Sequence, residues 1–277
     1  MNLRVPAAAL LLPGFLALPC HAQQQPLWEI GAGLGVLNAP DYRGADARST
    51  YLLPVPYLVY RGRFLKADRN GVRAALLQSD RVEINLSLNA TVPARSKNNP
   101  VRRGMADLKP TVELGPTADF NLWMSPGQKE KLDFRVPLRA AITLESSPKH
   151  IGWLLAPDLR LSVSDPAGWS GWRFGVGGGP LFSDRRYNSY FYSVRADEAR
   201  ADRPAYAAAG GYAGTQFTAT LSKRFPRYWV GAFLRQDNVA GAVFADSPLV
   251  KQRNGVSGGI AVAWIFGTSS TQVEIGE

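Results

Sequence analysis

The sequence predicts an all-β fold: an antiparallel transmembrane β-barrel of the outer-membrane type, with about twelve strands, or ten if the 62–78 region forms one bent strand. Three observations predict it. Apolar and polar residues alternate with a period of two over long stretches, several stretches are longer than strands of soluble proteins, and the connections are long on one rim and short on the other. Between Val82 and Val92 the apolar residues Val82, Ile84, Leu86, Leu88, Ala90 and Val92 are interleaved with Glu83, Asn85, Ser87, Asn89 and Thr91. That spacing puts two chemistries on the two faces of a strand and fits no helix. The same alternation runs from Leu108 to Leu122 and from Leu132 to Leu144. A soluble strand has roughly 5 to 6 residues, whereas a tilted strand crossing a bilayer needs about 9 to 11.

Composition removes the competing classes. Of 277 residues, 45% are hydrophobic and 19% charged, too apolar for a disordered chain. One cysteine cannot form a disulfide framework. Beyond the N-terminus no stretch reaches the ~20 apolar residues of a helical span. Residues 1–22 read as an export signal, with Arg4 before an apolar run from Val5 to Leu18 and cleavage after Ala22. Pro19 is the wrong residue before a lipid-modified Cys20. The mature barrel domain is then 23–277, without cysteine and with His150 as its single histidine, as suits the oxidising envelope of a Gram-negative cell.

In order, strands are expected near 27–37, 50–60, 62–67, 71–78, 81–92, 108–123, 130–145, 150–164, 171–183, 214–224, 227–237 and 255–267. Starting from the periplasm, the outward-to-inward connections are 38–49, 68–70, 93–107, 146–149, 184–213 and 238–254. The opposite connections are Arg61, Ser79-Asp80, 124–129, 165–170 and Pro226, all short. Outer-membrane barrels show this asymmetry, and an even number of strands returns the C-terminus to its starting side. Trp28, Tyr51, Tyr60, Trp123, Trp153, Trp172, Tyr228, Trp229 and Trp264 fall near strand ends, at the expected height of an interfacial aromatic belt. The last strand alternates through Val256, Ile260, Val262, Trp264 and Phe266 but continues eleven residues past Phe266.

Specific motifs then resemble a known family. Pro40-Asp41-Tyr42-Arg43-Gly44-Ala45-Asp46, followed by Pro54-Val55-Pro56-Tyr57 and Tyr60-Arg61-Gly62, is similar to the N-terminal signature of the MipA/OmpV family, the MltA-interacting outer-membrane proteins. Tyr187-Asn188-Ser189-Tyr190-Phe191-Tyr192-Ser193-Val194, Arg203-Pro204-Ala205-Tyr206 with Gly210-Gly211-Tyr212, and Asp246-Ser247-Pro248-Leu249-Val250 resemble its C-terminal half. The resemblance spans essentially the whole mature chain and implies an outer-membrane barrel. It further implies scaffolding of a lytic transglycosylase and a penicillin-binding protein in some members, and an adhesin or small-solute channel in others. It brings no catalytic residues.

If the apolar faces meet lipid, then Glu29, Glu83, Glu113, Asp119, Asp133, Arg135, Arg139, Asp158, Arg160 and Arg173 point into the lumen. Inward charges persist when paired, so a salt-bridged plug is the favoured expectation over a charge-selective channel. The second candidate is the long 184–213 connection as an external recognition loop, carrying Arg185, Arg186, Tyr187, Tyr190, Phe191, Tyr192, Arg195, Arg200, Arg203, Tyr206 and Tyr212. Tyrosine and arginine are enriched at recognition hot spots, while packing back into the barrel mouth is the equal alternative.

The chain carries a net charge of +10, and Arg95, Lys97, Arg102 and Arg103 are expected to meet lipopolysaccharide phosphates among the outer-membrane lipids. Nucleic acid is not an expected partner of an exported barrel. Catalysis is not expected either: His150 lies near Ser146 and Ser147, but sequence neighbours do not make a triad. The glycine runs 31–35 and 175–179 lead into no helix and read as strand glycines where the wall bends. No Cys/His cluster suggests a metal, and no cofactor is expected. The function expected is scaffolding or surface recognition in the cell envelope, with a narrow diffusion channel or an adhesin as alternatives.

Overall fold

The computed structural model describes residues 24–61, 65–68, 71–74, 77–78 and 82–274; the expected export signal, 1–22, lies outside the described residues. The strands are β1 (Gln24–Pro26), β2 (Trp28–Pro40), β3 (Arg48–Arg61), β4 (Leu65–Asp68), β5 (Gly71–Ala74), β6 (Leu77–Gln78), β7 (Val82–Thr91), β8 (Thr111–Met124), β9 (Glu130–Thr143), β10 (His150–Leu155), β11 (Asp158–Ser164), β12 (Trp172–Ser183), β13 (Gly211–Arg224), β14 (Tyr228–Asn238), β15 (Asn254–Thr268) and β16 (Gln272–Glu274). One α-helix, α1 (Arg185–Tyr192), interrupts the series.

All but β1 and β16 belong to one antiparallel sheet whose order is β5-β4-β3-β2-β15-β14-β13-β12-β10-β9-β8-β7-β6, with β11 also between β9 and β12. Neighbours in sequence are therefore neighbours in space, and β15 returns to pair with β2, as an up-and-down barrel requires. The described ladder is open between β5 and β6, which are only two residues apart in the chain. Strands β10 and β11 flank Ala156-Pro157 and both pair with β9 and β12, so they form one interrupted pass. Pro157 donates no hydrogen bond, and the ladder breaks there. Counting β10 and β11 as one pass gives thirteen strands in the described sheet, against the twelve or so expected.

The barrel is inside out relative to a soluble protein. On β15, Ile260 is 66% and Phe266 67% exposed, whereas the alternate Ser257 is 1% and Ala263 0% exposed. On β8, Thr111, Glu113 and Thr117 are buried while Leu114 and Leu122 are exposed. Apolar side chains in contact with water on this scale would be costly, so the outer surface is solvated by hydrocarbon.

The glycines of β2 act where the wall bends: a Cβ on Gly31 would collide with the Trp264 carbonyl and one on Gly33 with the Val262 carbonyl, because β2 and β15 approach too closely there for a side chain. Gly175, Gly177 and Gly179 lie likewise inside β12 rather than in a phosphate loop.

The principal apolar core sits in the loops. Tyr42, Leu108, Ile151, Leu181, Phe191, Tyr192, Phe244 and Leu249 form one buried cluster at the rim that carries the long connections. At the opposite rim a smaller cluster joins Tyr57, Val59, Ala263 and Ile265 with Trp229. Trp229 thus packs with Tyr57, ring centroids 6.3 Å apart, instead of joining the lipid-facing belt. Trp28, Trp123, Trp153 and Trp264 are exposed as expected. The chain beyond Phe266 folds back, and β16 pairs with β1 through Gln24 and Glu274, clasping the two ends of the described chain together at the short-turn rim.

Candidate functional site: a charged lumen under a folded cap

The charge network covers one side of the lumen, on β7, β8, β9 and β11. Antiparallel register places Asp119 opposite Arg135, and Arg135 opposite Asp158. Arg135 Nε donates to Asp119 Oδ1 at 2.9 Å, and Asn85 Nδ2 donates to Asp119 Oδ2 at 2.9 Å. Higher up, Glu113 pairs with Arg139 Nε at 3.3 Å and accepts from Asn89 Nδ2 at 3.0 Å. Asp158 faces Arg160 at 3.6 Å and Asp133 pairs with Lys131 at 2.9 Å. These pairs, two across strands and two along a single strand, satisfy charges that could not persist alone in a partly dehydrated interior.

Two predicted members differ. Glu83 stands opposite Asp119, an acid facing an acid, and makes no ion pair with a described residue. Arg173 is exposed at the open end of the lumen and likewise has no described ion-pair partner. Period two fixes the face of each residue, but register fixes its partner.

Other charges join the interior. Glu29 is buried and takes both Arg61 at 2.7 Å and Arg224 at 3.0 Å. Asp237 bridges Arg43 at 2.9 Å and Arg235 at 3.1 Å. Arg43 and Asp237 were not singled out in the sequence, because Arg43 belongs to a loop whose path only the folded mouth defines.

Next to the charged strands the wall carries few side chains: Gly175, Gly177 and Gly179 of β12, which pairs directly with β11, together with Thr218 of β13 and Ser257 of β15, border a cavity of about 530 Å³. Its ceiling is α1, which contributes Tyr187, Phe191 and Tyr192.

The cap explains the long connection. Asp184 caps α1, accepting from the Tyr187 amide at 2.7 Å, an expected use of aspartate at a helix start. The helix was not foreseen, since the loop offers no apolar repeat long enough to signal it. Tyr187 Oη reaches down to donate to Glu113 Oε1 at 2.9 Å. Tyr192 stacks on Phe244 with centroids 3.6 Å apart and donates to the Arg43 carbonyl at 3.0 Å. Tyr42 donates to the Leu249 carbonyl at 2.8 Å, and Ser247 Oγ to the Tyr192 carbonyl at 2.7 Å.

The recognition residues expected on 184–213 are therefore largely turned inward. Tyr192 and Arg203 are buried, Tyr187, Tyr190 and Tyr206 half-buried, and Arg185, Arg186 and Arg195 exposed. Arg203 donates to the carbonyls of Val101 and Glu198, at 2.7 and 3.1 Å through Nη1 and Nε respectively. Arg102, expected on the surface against lipopolysaccharide, is buried beside the Tyr42 ring and donates to the Phe191 carbonyl at 3.1 Å. Arg95, Lys97 and Arg103 remain exposed. His150 packs edge-on to Trp153 and faces Arg186 at 3.4 Å; among the described residues no serine hydroxyl hydrogen-bonds it.

A cylinder with hydrocarbon-facing aliphatics, an ion-paired interior, short turns on one rim and long connections on the other is an integral outer-membrane β-barrel. The chain belongs to the MipA family: the family model described as MltA-interacting protein MipA matches residues 32–266. It resides in the outer membrane. The motifs that carry the family resemblance, around Tyr42, Tyr187 to Tyr192, Arg203 and Leu249, are the ones that assemble the cap.

No curated protein matches the sequence. Among solved structures, the chain is similar to an outer membrane channel from Pseudomonas putida F1, at 13% identity over 90% of this chain and 99% of that one, with a TM-score of 0.41. It is similar to the N-terminal β-barrel domain of OprF from Pseudomonas aeruginosa at 11% identity, over 68% and 98% of the two chains, with a TM-score of 0.29. For the outer membrane protein OprG from Pseudomonas aeruginosa the values are 9%, 88%, 95% and 0.22.

Proposed function

We propose that this protein is a membrane-fixed scaffold that acts by binding, not catalysis, and that its binding surface is the short-turn rim facing the periplasm. The observation that carries the reading is the closure of the opposite mouth by a packed cap, which commits Tyr187, Tyr192 and Arg203 to internal contacts. The short-turn rim keeps its surface free: Trp169 is exposed, and the neighbouring turns are joined through Lys129 and Asp165 at 3.3 Å. The family description names interaction with MltA, a lytic transglycosylase, and this chemistry of partner suits a periplasmic face. A penicillin-binding protein is the second partner of the reading.

The test is photo-crosslinking from position 169 and from position 195 in intact cells, followed by identification of the captured proteins. Murein enzymes captured from 169 and not from 195 support the reading; capture of a murein enzyme from neither position overturns it. A narrow diffusion channel is the second reading, favoured by the charged cavity in the lumen. Stable unitary currents from the refolded protein in planar bilayers, altered when Arg139 is neutralised, would place the channel ahead of the scaffold.

A further inference from the structure

Strand β10 carries an irregularity that a plain wall does not need. Its register against β9 runs Leu155 with Leu138, Trp153 with Ala140 and Gly152 with Ala141, and then slips by one residue, so that His150 stands opposite Ile142. Residues three apart in a regular strand point to opposite sides. The slip at Ile151 turns His150 to the side of Trp153, which is the lipid side on which Leu138, Leu144 and Trp153 are exposed. The two rings meet edge-on with centroids 5.7 Å apart.

The same stretch seats the helix of the cap. Gly152 has a φ of +130°, and a Cβ there would collide with Asp184 Oδ1 and the Tyr187 amide nitrogen, so the first turn of α1 lies directly on β10. That turn opens with Arg185 and Arg186 and holds no acid, whereas the positive end of a helix dipole favours acids. A local rule broken without local gain marks a place with another task. Arg186 Nη1 donates to His150 Nδ1 at 3.4 Å, so the imidazole holds the guanidinium beside the Trp153 ring. Neither Arg185 nor Arg186 is ion-paired with a described acid. The two acids at hand are engaged: Glu145 accepts from Thr143 Oγ1 at 2.9 Å and lies 3.9 Å from Lys149, and Asp184 accepts from the Tyr187 amide.

Outward along β10 the order is Leu155, Trp153, His150, and then Lys149 with Arg186 alongside. An aliphatic side chain is followed by an indole, and the indole by cations. A membrane lipid has its acyl chain, its interface and its phosphate in that order. Indoles settle at the interface, and arginine and lysine bind phosphate.

We infer that this outer edge of β9 and β10, with the first turn of α1, is a binding site for lipid A, the phosphorylated anchor of lipopolysaccharide. Arg186 and Lys149 hold a phosphate, His150 positions Arg186, and Trp153 and Leu144 pack along an acyl chain. The rim with the long connections faces the outer surface, where the lipid is lipopolysaccharide. The place differs from Arg95, Lys97 and Arg103, which belong to the 93–107 connection and to no wall strand. The inference goes beyond scaffolding, since it concerns the opposite rim and needs no protein partner.

The experiment is native mass spectrometry of the refolded barrel, released from detergent in the presence of lipid A with both phosphates, of the same lipid A with its phosphates removed, or of phosphatidylglycerol. Lipid A with its phosphates should be retained at one per barrel, and the other two lipids far less. Lys149→Gln combined with Arg186→Gln should weaken retention about tenfold or more, the order of one lost charge-assisted contact. Lys251→Gln combined with Arg253→Gln removes the same charge from another connection of this rim and should leave retention unchanged. All four side chains are exposed, and the heat-dependent gel shift verifies that each variant is folded. The inference is overturned if lipid A is not retained, if phosphate-free lipid A or phosphatidylglycerol is retained as well, or if the two double variants lose lipid A equally. These results are independent of crosslinking at position 169, so failure of the lipid site and failure of the scaffold are distinguishable.

Discussion

Tyr187, on the helix of the cap, donates its phenolic hydrogen to Glu113, a buried carboxylate of the barrel wall, at 2.9 Å. The two residues lie 74 positions apart and belong to different layers, so this bond ties the closure of the mouth to the charge network below it. Glu113 is otherwise held by Arg139 and Asn89 on its own wall.

Tyr187→Phe removes that bond and leaves Glu113 one donor short. A hydrogen bond to a charged group contributes about 1.5–3 kcal/mol. The cap should become less stable by that order while the strands do not change, so amide exchange should accelerate across 184–210 and stay unchanged in β8 and β9. Equal exchange in both proteins would remove the coupling.

Phe244→Ala takes away the ring on which Tyr192 stacks at the centre of the cap. Truncating a buried phenylalanine costs about 3–5 kcal/mol, enough to release the loops from the mouth. Protease cleavage within 239–253 should become fast in the folded, membrane-inserted protein. A cap that resists cleavage as before would mean that its packing does not rest on this ring.

Ile260 and Thr218 test the orientation of the wall. Ile260 faces outward from β15 and Thr218 faces the lumen from β13. Ile260→Arg should cost about 2–4 kcal/mol of folding stability in vesicles if the residue lies near the bilayer midplane, whereas Thr218→Arg should cost little. The opposite order in urea titrations would show the faces to be reversed.

Alkali should open the cap before the barrel. Burial raises the phenols of Tyr42 and Tyr192 above the ordinary value of 10.0. A raised folded value means that the folded cap favours the neutral phenol, so this contribution is complete below the unfolded pKa of about 10 and declines as pH climbs above it. Loop proteolysis should therefore increase above about pH 10 while the heat-dependent gel shift persists. Cap protection that is independent of pH across the tyrosine titration would contradict this.

The alternating segments 82–92 and 132–144 determined the wall by themselves. A strand exposes successive side chains to opposite sides, so Asn85 and Ser87 had to share the face opposite Leu86 and Leu88. The rim asymmetry was legible for the same reason, since the strand boundaries leave 184–213 and 238–254 on one side. Tertiary structure alone decided the rest. Glu83 met Asp119, and Asp119 met Arg135, through register, which alternation does not encode. Tyr187, Tyr192, Arg102 and Arg203 look like surface residues in the chain, and were buried, or half-buried in the case of Tyr187, because apolar side chains excluded from a charged lumen found each other in the mouth. Loop packing is set by contacts between segments far apart in sequence, such as Tyr42 with Leu249, and no local pattern announces them.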